Sequence, residues 1–131
     1  MKIIHTSGQR KQAVARATLK PGSGIVRVNS QLLTSMPESI YRSKIEEPLL
    51  IAGEVAKKVD ITVRTHGGGV NGQAEAARMA IAKAIAKHDS TLQSTFIEYD
   101  RTLLVADIRR KESRKPNCQG SARSKRQKSY R

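Results

Sequence analysis

Residues of the kinds that carry catalysis are few in this chain and lie far apart. The histidines are His5, His66 and His88, and the one cysteine, Cys118, lies in a strongly basic segment. No spacing of Cys and His matches a zinc site, and Cys118 has no second cysteine with which to form an internal disulfide. The sequence therefore predicts no catalytic residue, no metal site and no cofactor.

A glycine-rich loop from Gly67 to Gly72 is the strongest local motif. It has the Gly-x-x-x-x-Gly spacing of a nucleotide-binding loop, but Gln73 and Ala74 stand where Lys and Ser/Thr are required. An oxyanion hole is not indicated either, because the chain has no Gly-x-Ser-x-Gly nucleophile elbow. Two interpretations stay open. The backbone N–H groups bind a phosphodiester at a helix N-terminus, or the glycines simply allow a tight strand-to-helix turn.

Binding chemistry is concentrated in residues 109–131, which hold ten Lys/Arg and one acidic residue and carry nine of the fourteen net positive charges. The apolar side chains of this segment are too few to offset the roughly 1–2 kcal/mol per residue that ordering a backbone costs. We therefore expect an extended basic tail that becomes ordered only against a polyanion. Its interleaved Ser, Asn and Gln side chains can donate to phosphate oxygens and 2′-hydroxyls. A solubilising tail and a localisation signal are the alternatives.

The net charge of +14 on 131 residues is typical of proteins that bind nucleic acids or anionic membranes. No apolar run approaches the roughly 18 residues of a spanning helix, so we expect no membrane attachment. Aromatic residues make up 3% of the chain and Trp is absent, which argues against a base-stacking platform. The start of the chain is too weakly apolar for a signal peptide, and we expect a cytoplasmic protein.

The length allows one domain, predicted over residues 1–108, followed by the tail at 109–131. Apolar residues alternate with polar ones from Ala13 to Lys20 and again from Lys57 to Thr65, which predicts two strands that are each buried on one face. The turn residues Pro21–Gly24 lead into Ile25–Val28, and this spacing predicts a hairpin.

Three further segments have helical patterns. The first runs from Pro37 to about Ala56 and is expected to break into two pieces at Pro48. The second, Asn71–Lys87, has an apolar stripe and an exposed face predicted to be basic through Arg78, Lys83 and Lys87. A third helix is predicted over about Ser90–Tyr99. The run that follows, residues 99–107, is a strand or a helical turn.

Five motifs in order resemble the ninth small-subunit ribosomal protein family. They are Gly8–Arg16 (Gly-x-Arg-Lys-x-Ala-x-Ala-Arg), Gly22–Asn29, Gly67–Ala74, Asp107–Glu112 and the ending Arg126–Arg131. Tyr99–Leu104 and the final Ser-Tyr-Arg are similar to the archaeal and eukaryotic branch.

The resemblance implies an α+β fold in which a single mixed domain has a mostly antiparallel sheet backed by helices, with an extended basic C-terminal tail. It implies a non-enzymatic structural constituent of the small ribosomal subunit, monomeric within the ribosome. Its domain would bind ribosomal RNA in the subunit head beside neighbouring head proteins, and its tail would reach peptidyl-site transfer RNA. Two rival functions have no motif support: a free RNA chaperone or DNA-compacting protein, and a small RNA-modifying enzyme.

Carried over to this sequence, the resemblance also implies binding residues. Those expected to contact ribosomal RNA are Arg10, Lys11, Arg16, Gly68, Gly69, Gln73, Arg109, Arg110, Arg114, Lys115, Arg123, Lys125 and Arg126. Those expected to contact transfer RNA are Lys128 and Arg131.

Overall fold

A five-stranded sheet with helices packed on one face organises the computed structural model, which describes residues 3–123, 125 and 129–130. Within these residues the elements are β1 (Ile4–Arg10), β2 (Ala13–Pro21), β3 (Val26–Val28), β4 (Gln31–Leu32), α1 (Ile40–Ala52), β5 (Val59–His66), α2 (Val70–His88) and α3 (Leu92–Tyr99). Short 3₁₀ turns lie at Leu33–Ser35, Ala56–Lys58 and Arg101–Leu103.

The strands lie in the order β1-β2-β5-β3-β4. Neighbours are antiparallel except for β3 and β5, which are parallel. The predicted α+β domain with a mostly antiparallel sheet backed by helices is therefore confirmed. The period-2 patterns of β2 and β5 are confirmed as well, because the alternate apolar residues of both strands are buried towards the helices.

The predicted hairpin between β2 and β3 is wrong, because β5 lies between these two strands. Val63 of β5 is paired with Ala17 of β2 on one side and with Val28 of β3 on the other. The loop after β2 crosses over the start of β5, where the Asp60 carboxylate accepts the backbone N–H groups of Ser23 and Ile25, both at 2.9 Å. The hairpins that do form turn at residues 11–12, between β1 and β2, and at residues 29–30, between β3 and β4.

The predicted break at Pro48 is also absent, since α1 continues through it from Ile40 to Ala52. Proline removes one helical hydrogen bond. Its ring is, however, fully buried, and removing apolar surface from water offsets part of that loss. The helix begins later than predicted because the Ser39 hydroxyl accepts the N–H of Arg42 at 3.3 Å and acts as the N-cap.

Helix α2 packs between the sheet and α1 and is buried along most of its length. The predicted stripe of Ala74, Ala77, Ile81 and Ile85 is confirmed as buried, and five further apolar residues of the helix join it. The small side chains allow β1 to approach closely, and the hydroxyl of buried Thr6 donates to the Ala80 carbonyl oxygen at 2.8 Å. At Gly8 a Cβ atom would overlap the Ala76 carbonyl oxygen.

The predicted third helix is confirmed as α3, and the ambiguous segment after it forms a helical turn rather than a strand. The Asp100 carboxylate accepts the N–H of Thr102 at 2.8 Å and caps this turn. Phe96 and Leu103 bury their side chains completely against the core. From residue 106 to 115 the chain has neither helix nor strand, and it leaves the domain on the side of the β1–β2 turn.

Candidate nucleic-acid interface

Three segments that are distant in sequence form a groove, here called the junction groove, of about 990 Å³. They are the β1–β2 turn, the glycine loop with the first turn of α2, and the first residues of the tail. Its lining consists of Arg10, Lys11, Gln12, Gly68, Gly69, Asn71, Gly72, Glu75, Arg109, Arg110 and Lys111. Five of these residues are basic and one is acidic, so the groove favours an anionic ligand.

Lys11 stands at the tip of the β1–β2 turn with a φ angle of 52°. This left-handed conformation is uncommon for residues other than glycine, asparagine and aspartate. The turn therefore carries a basic side chain at a position where glycine would meet less steric resistance. Lys11 is exposed and forms no ion pair among the described residues, so its charge is available to a ligand.

Gly67 and Gly68 adopt positive φ angles of 74° and 62°. A Cβ atom on Gly67 would lie 2.5 Å from the Gln12 carbonyl oxygen, which excludes any side chain there. The tight-turn interpretation is thus confirmed for these two glycines, which let the loop lie against the β1–β2 turn.

Gly69 differs, because its φ of −110° is accessible to any residue and no atom would crowd a Cβ there. It is the N-cap of the nineteen-residue helix α2 and has no side chain with which to accept the first-turn N–H groups. That helix end therefore presents uncapped amides and the positive end of the helix dipole to the groove. Phosphodiester binding at this point remains a prediction.

An ion-pair network, here called the junction network, fixes the floor of the groove. Arg10 contacts Glu75 through Nε and Asp107 through Nη1, each at 2.8 Å. Lys44 of α1 reaches Glu75 at 3.1 Å, and Arg109 reaches Asp107 at 2.7 Å. The network thus joins β1, α1 and α2 to the start of the tail.

The two acids of the junction network have lowered pKa values. Hydrogen bonds from the Arg109 side chain and backbone, together with the nearby Arg10 charge, hold the pKa of Asp107 far below its ordinary value. Partial burial raises the pKa of Glu75, but hydrogen bonds from Lys44 and Arg10 outweigh this effect, and the net pKa is lowered. Both carboxylates are therefore ionised at neutral pH and neutralise part of the surrounding positive charge.

Six of the residues predicted to bind ribosomal RNA line the junction groove: Arg10, Lys11, Gly68, Gly69, Arg109 and Arg110. Arg10 is largely committed to the junction network, with 18% of its side chain exposed. Gln73 lies outside the lining and supports the glycine loop, since its amide donates to the Gly67 carbonyl oxygen at 3.0 Å.

Arg16 is not brought to the groove. It alternates along β2 with buried Ala15 and Ala17 and therefore lies on the face of the sheet opposite the helices. The alternation of apolar and polar residues along β2 was sufficient to predict this position, because every second residue of a strand lies on the same face of the sheet.

The described tail residues form a small loop around Glu112, the one acidic residue of the tail. Lys115 contacts it at 2.6 Å and Arg123 at 2.7 Å, so two of the predicted contact residues are ion-paired. Arg114 is exposed, and Lys125 pairs with Cys118 in an isolated β-bridge. Arg126, Lys128 and Arg131, which carry the remaining predictions, lie outside the described residues.

The predicted basic face of α2 requires a correction. The Arg78 side chain is 15% exposed and lies between Glu47 of α1, which it contacts closely, and Asp100, at 2.9 Å. Its charge is therefore neutralised by residues that periodicity within α2 could not reveal. Lys83 is half-buried and donates to the Ser7 carbonyl oxygen at 3.2 Å, which leaves Lys87 as the exposed member of the three.

Sequence reasoning also missed the supporting residues of the site. Lys44, Glu75 and Asp107 come from three distant segments, and nothing in their local sequence marks them as partners of one another or of Arg10. Lys111 could have been predicted as a groove residue, since it directly follows Arg109 and Arg110, which were predicted.

Two features are absent from the described residues, a metal-binding cluster and a membrane-spanning helix. No group of three or more His, Cys, Asp or Glu side chains is arranged to hold a metal ion. In the same part of the chain, none of the helices has the length and apolar character needed to cross a membrane.

Comparison with known proteins gives consistent matches over the chain. The family model described as ribosomal protein S9/S16 matches residues 8–131. Small ribosomal subunit protein uS9 of Thermoplasma acidophilum is 52% identical over 128 residues, covering 96% of this chain and 98% of that protein. The proteins of the same name from Thermoplasma volcanium and Methanococcus maripaludis are 48% and 44% identical, and each alignment covers both chains completely.

Proposed function

Because the chain belongs to the ribosomal protein S9/S16 family, we propose that it binds ribosomal RNA in the junction groove and reaches peptidyl-site transfer RNA through its tail. It is a ribosomal protein of the small subunit, with a structural role in translation, and it is not an enzyme. We further propose that its domain lies in the head of the small subunit, beside other head proteins. In this proposal the protein is a monomer within a cytoplasmic ribosome.

The observation that carries the proposal is the convergence of unpaired cations and uncapped amides in one groove. Lys11, Arg110 and Lys111 line it without an ion-pair partner among the described residues. The N-terminus of α2 opens into the same space. Both the basic side chains and the backbone amides donate hydrogen bonds to phosphate oxygens. The negative charge of a phosphate would balance the excess positive charge of the groove.

The path of the chain supports the second half of the proposal. Arg109 is anchored to the domain through Asp107, and the tail begins directly in the groove. A domain held on ribosomal RNA would therefore keep the tail at a high effective concentration near a second RNA. The family model extends to residue 131, and the tip contacts are assigned to Lys128 and Arg131 because residues 126–131 resemble the family ending.

Lys11→Gly tests the groove. Glycine accepts the left-handed turn, so the fold should be retained or slightly stabilised while one phosphate contact is lost. For small-subunit ribosomal RNA, the slope of log affinity against log salt should become shallower by about 0.7–0.9. Lys57→Ala, which removes an exposed cation at the far end of the sheet, is the matched control and should leave the slope unchanged. Equal slopes for wild type and Lys11→Gly would exclude the groove contact.

Removal of residues 128–131 tests the tail. Isolated small subunits carrying the shortened protein should bind peptidyl-site transfer RNA more weakly, because two backbone contacts are lost. Sedimentation should show the shortened protein still bound to the subunit, since the domain supplies its attachment. Unchanged transfer RNA affinity would refute the tail contact without affecting the groove.

A further inference from the structure

We propose that the face of the sheet opposite the helices is a second RNA-binding surface, which takes the phosphate backbone of base-paired RNA. This surface, the open sheet face, is defined by Arg16 and Lys20 of β2, Arg27 of β3 and Arg64 of β5. It rests on the proposed function in that the ligand is RNA, but none of its four residues lines the junction groove.

The four cations are exposed and lie on adjacent strands. Arg16 is directly opposite Arg64 in the antiparallel β2–β5 pair. Arg27 is level with Thr62, the position on the same face next to Arg64 along β5. With about 3.3 Å per residue and 4.8 Å between strands, the four positions cover an area of roughly 13 by 10 Å.

None of these four side chains forms an ion pair with any other described residue. The acidic residue on this face is Asp60, which is opposite Lys20. Its carboxylate is occupied by the N–H groups of Ile25 and Ser23, which together lower its pKa. Asp60 also interacts electrostatically with Arg27, so its single negative charge offsets one of the four positive charges, and the face keeps an excess of positive charge.

Two like charges directly opposite each other destabilise a strand pair. The Arg16–Arg64 pair thus works against the fold of the isolated protein, and nothing in the described chain relieves it. A polyanion laid across β2 and β5 would do so by contacting both guanidinium groups at once.

The other residues of the face specify the kind of RNA. A depression of about 710 Å³ on this face is lined by Arg16 and Arg64, by the hydroxyl residues Ser7, Thr18 and Thr62, and by Lys87 of α2. Phe, Tyr and Trp are absent from this lining, and its one ring, the imidazole of His5, lies 3.1 Å through Nδ1 from the Thr18 hydroxyl, so the face offers no large aromatic platform to unpaired bases. Guanidinium and hydroxyl donors along such a depression suit the phosphates and 2′-hydroxyls of a base-paired region, which is recognised by shape.

The double variant Arg16→Thr/Arg64→Thr in the full-length protein separates binding from folding. Threonine favours strands and the repulsion is gone, so the melting temperature should be equal to or higher than that of wild type. With a base-paired fragment of small-subunit ribosomal RNA, the log–log salt slope should become shallower by about 1.4–1.8, twice the change expected for one phosphate contact. Lys57→Ala/Lys58→Ala removes the same charge from the end of the sheet and should leave the slope unchanged. Equal slopes for the two double variants would overturn the proposal.

Photo-crosslinking in assembled small subunits then locates the RNA. A photoreactive residue at Thr62 reports on the open sheet face, one at Lys111 on the junction groove, and one at exposed Leu50 of α1 serves as the control. Crosslinks from position 62 to base-paired ribosomal RNA are expected, above the level at position 50.

Crosslinks from position 62 to single-stranded RNA, to protein or to nothing would overturn the second surface. If position 111 still reached ribosomal RNA in that case, the groove would stand. Failure at both positions would remove the proposed function as well.

Discussion

At the scale of single residues, the close packing of β1 on α2 requires a residue without a Cβ atom at position 8. Gly8 faces the backbone of α2 so closely that a Cβ atom would overlap the Ala76 carbonyl oxygen and lie 2.7 Å from the Ala80 nitrogen. Both neighbours are backbone atoms of a buried helix and cannot rotate away. The side chain that β1 does bury there, Thr6, needs the same close approach for its hydrogen bond to Ala80.

Gly8→Ala should therefore lower the free energy of unfolding by about 1–3 kcal/mol, because β1 and α2 must separate to admit the methyl group. Gly69→Ala is a matched control, since its φ is ordinary and nothing lies within 4 Å of the new carbon. It should change stability by no more than about 0.5 kcal/mol. Denaturant unfolding monitored by circular dichroism measures both. Equal stabilities would mean that the two elements separate without cost.

At the scale of elements, Asp107 couples the domain to the tail. It accepts from Arg10 on β1 and from Arg109 at the start of the tail, so the direction of the tail is fixed where it enters the junction groove. The pKa of Asp107 is lowered chiefly by Arg109. Its stabilising contribution is thus fully present above the ordinary aspartate pKa of about 3.9 and is lost as pH falls through the lower folded value.

We expect Asp107 to remain ionised at pH 4 in carboxyl-carbon NMR titrations and Arg109→Ala to raise its pKa towards the ordinary value. Asp60 is an internal control, because its pKa is lowered by backbone N–H groups that this substitution does not touch. If both aspartates shifted together, the substitution would have altered the fold. If neither shifted, the Arg109 contact would not exist in solution.

Comparison of the elements shows what sequence could provide. The alternation in β2 and β5 and the small residues of α2 were sufficient to place these elements, because burial on one face imposes its period on the sequence. The β2–β3 hairpin failed because the partner of both strands comes from residues 59–66, and a local turn signal does not exclude a distant strand. The helix break predicted at Pro48 is absent because burial of the proline ring offsets part of the loss of one helical hydrogen bond.

The site was predictable to a different extent. Most residues that line the groove belong to three of the sequence motifs and could therefore be predicted. These motifs are Gly8–Arg16, Gly67–Ala74 and Asp107–Glu112, and each contains its own basic or glycine residues. The parity of β2 was sufficient to assign Arg16 to the exposed face of its strand, and that of β5 did the same for Arg64. That the two arginines are opposite each other depends on a strand pairing that no local pattern gives. The neutralisation of Arg78 was not predictable, because Glu47 and Asp100 reach it only through the packing of three elements.

At the scale of the whole molecule, positive charge lies on both faces of the sheet and along the tail. The net charge of +14 is spread over a chain of 131 residues, so the free protein repels itself. Burial of apolar side chains between the sheet and α2 has to hold the fold against this repulsion.

Salt should consequently have opposite effects on folding and on binding. Raising the concentration of sodium chloride from roughly 20 to 300 mM screens exposed charges, so the melting temperature of the free protein should rise while its affinity for ribosomal RNA falls. Differential scanning fluorimetry and filter binding in the same buffers measure the two quantities. A melting temperature that fell with salt would show that the ion pairs stabilise the free protein more than the repulsion destabilises it.

Because β5 lies between β2 and β3, the sheet cannot assemble until β5 has been synthesised. Strands β2 and β3 acquire their common neighbour only when residues 59–66 have left the ribosome that makes them, and β1 is covered only when α2 follows. A nascent chain shorter than this carries unpaired strand edges and an uncovered apolar face. The basic tail follows the domain in the chain, so most of the domain is synthesised before the segment with the greatest density of positive charge.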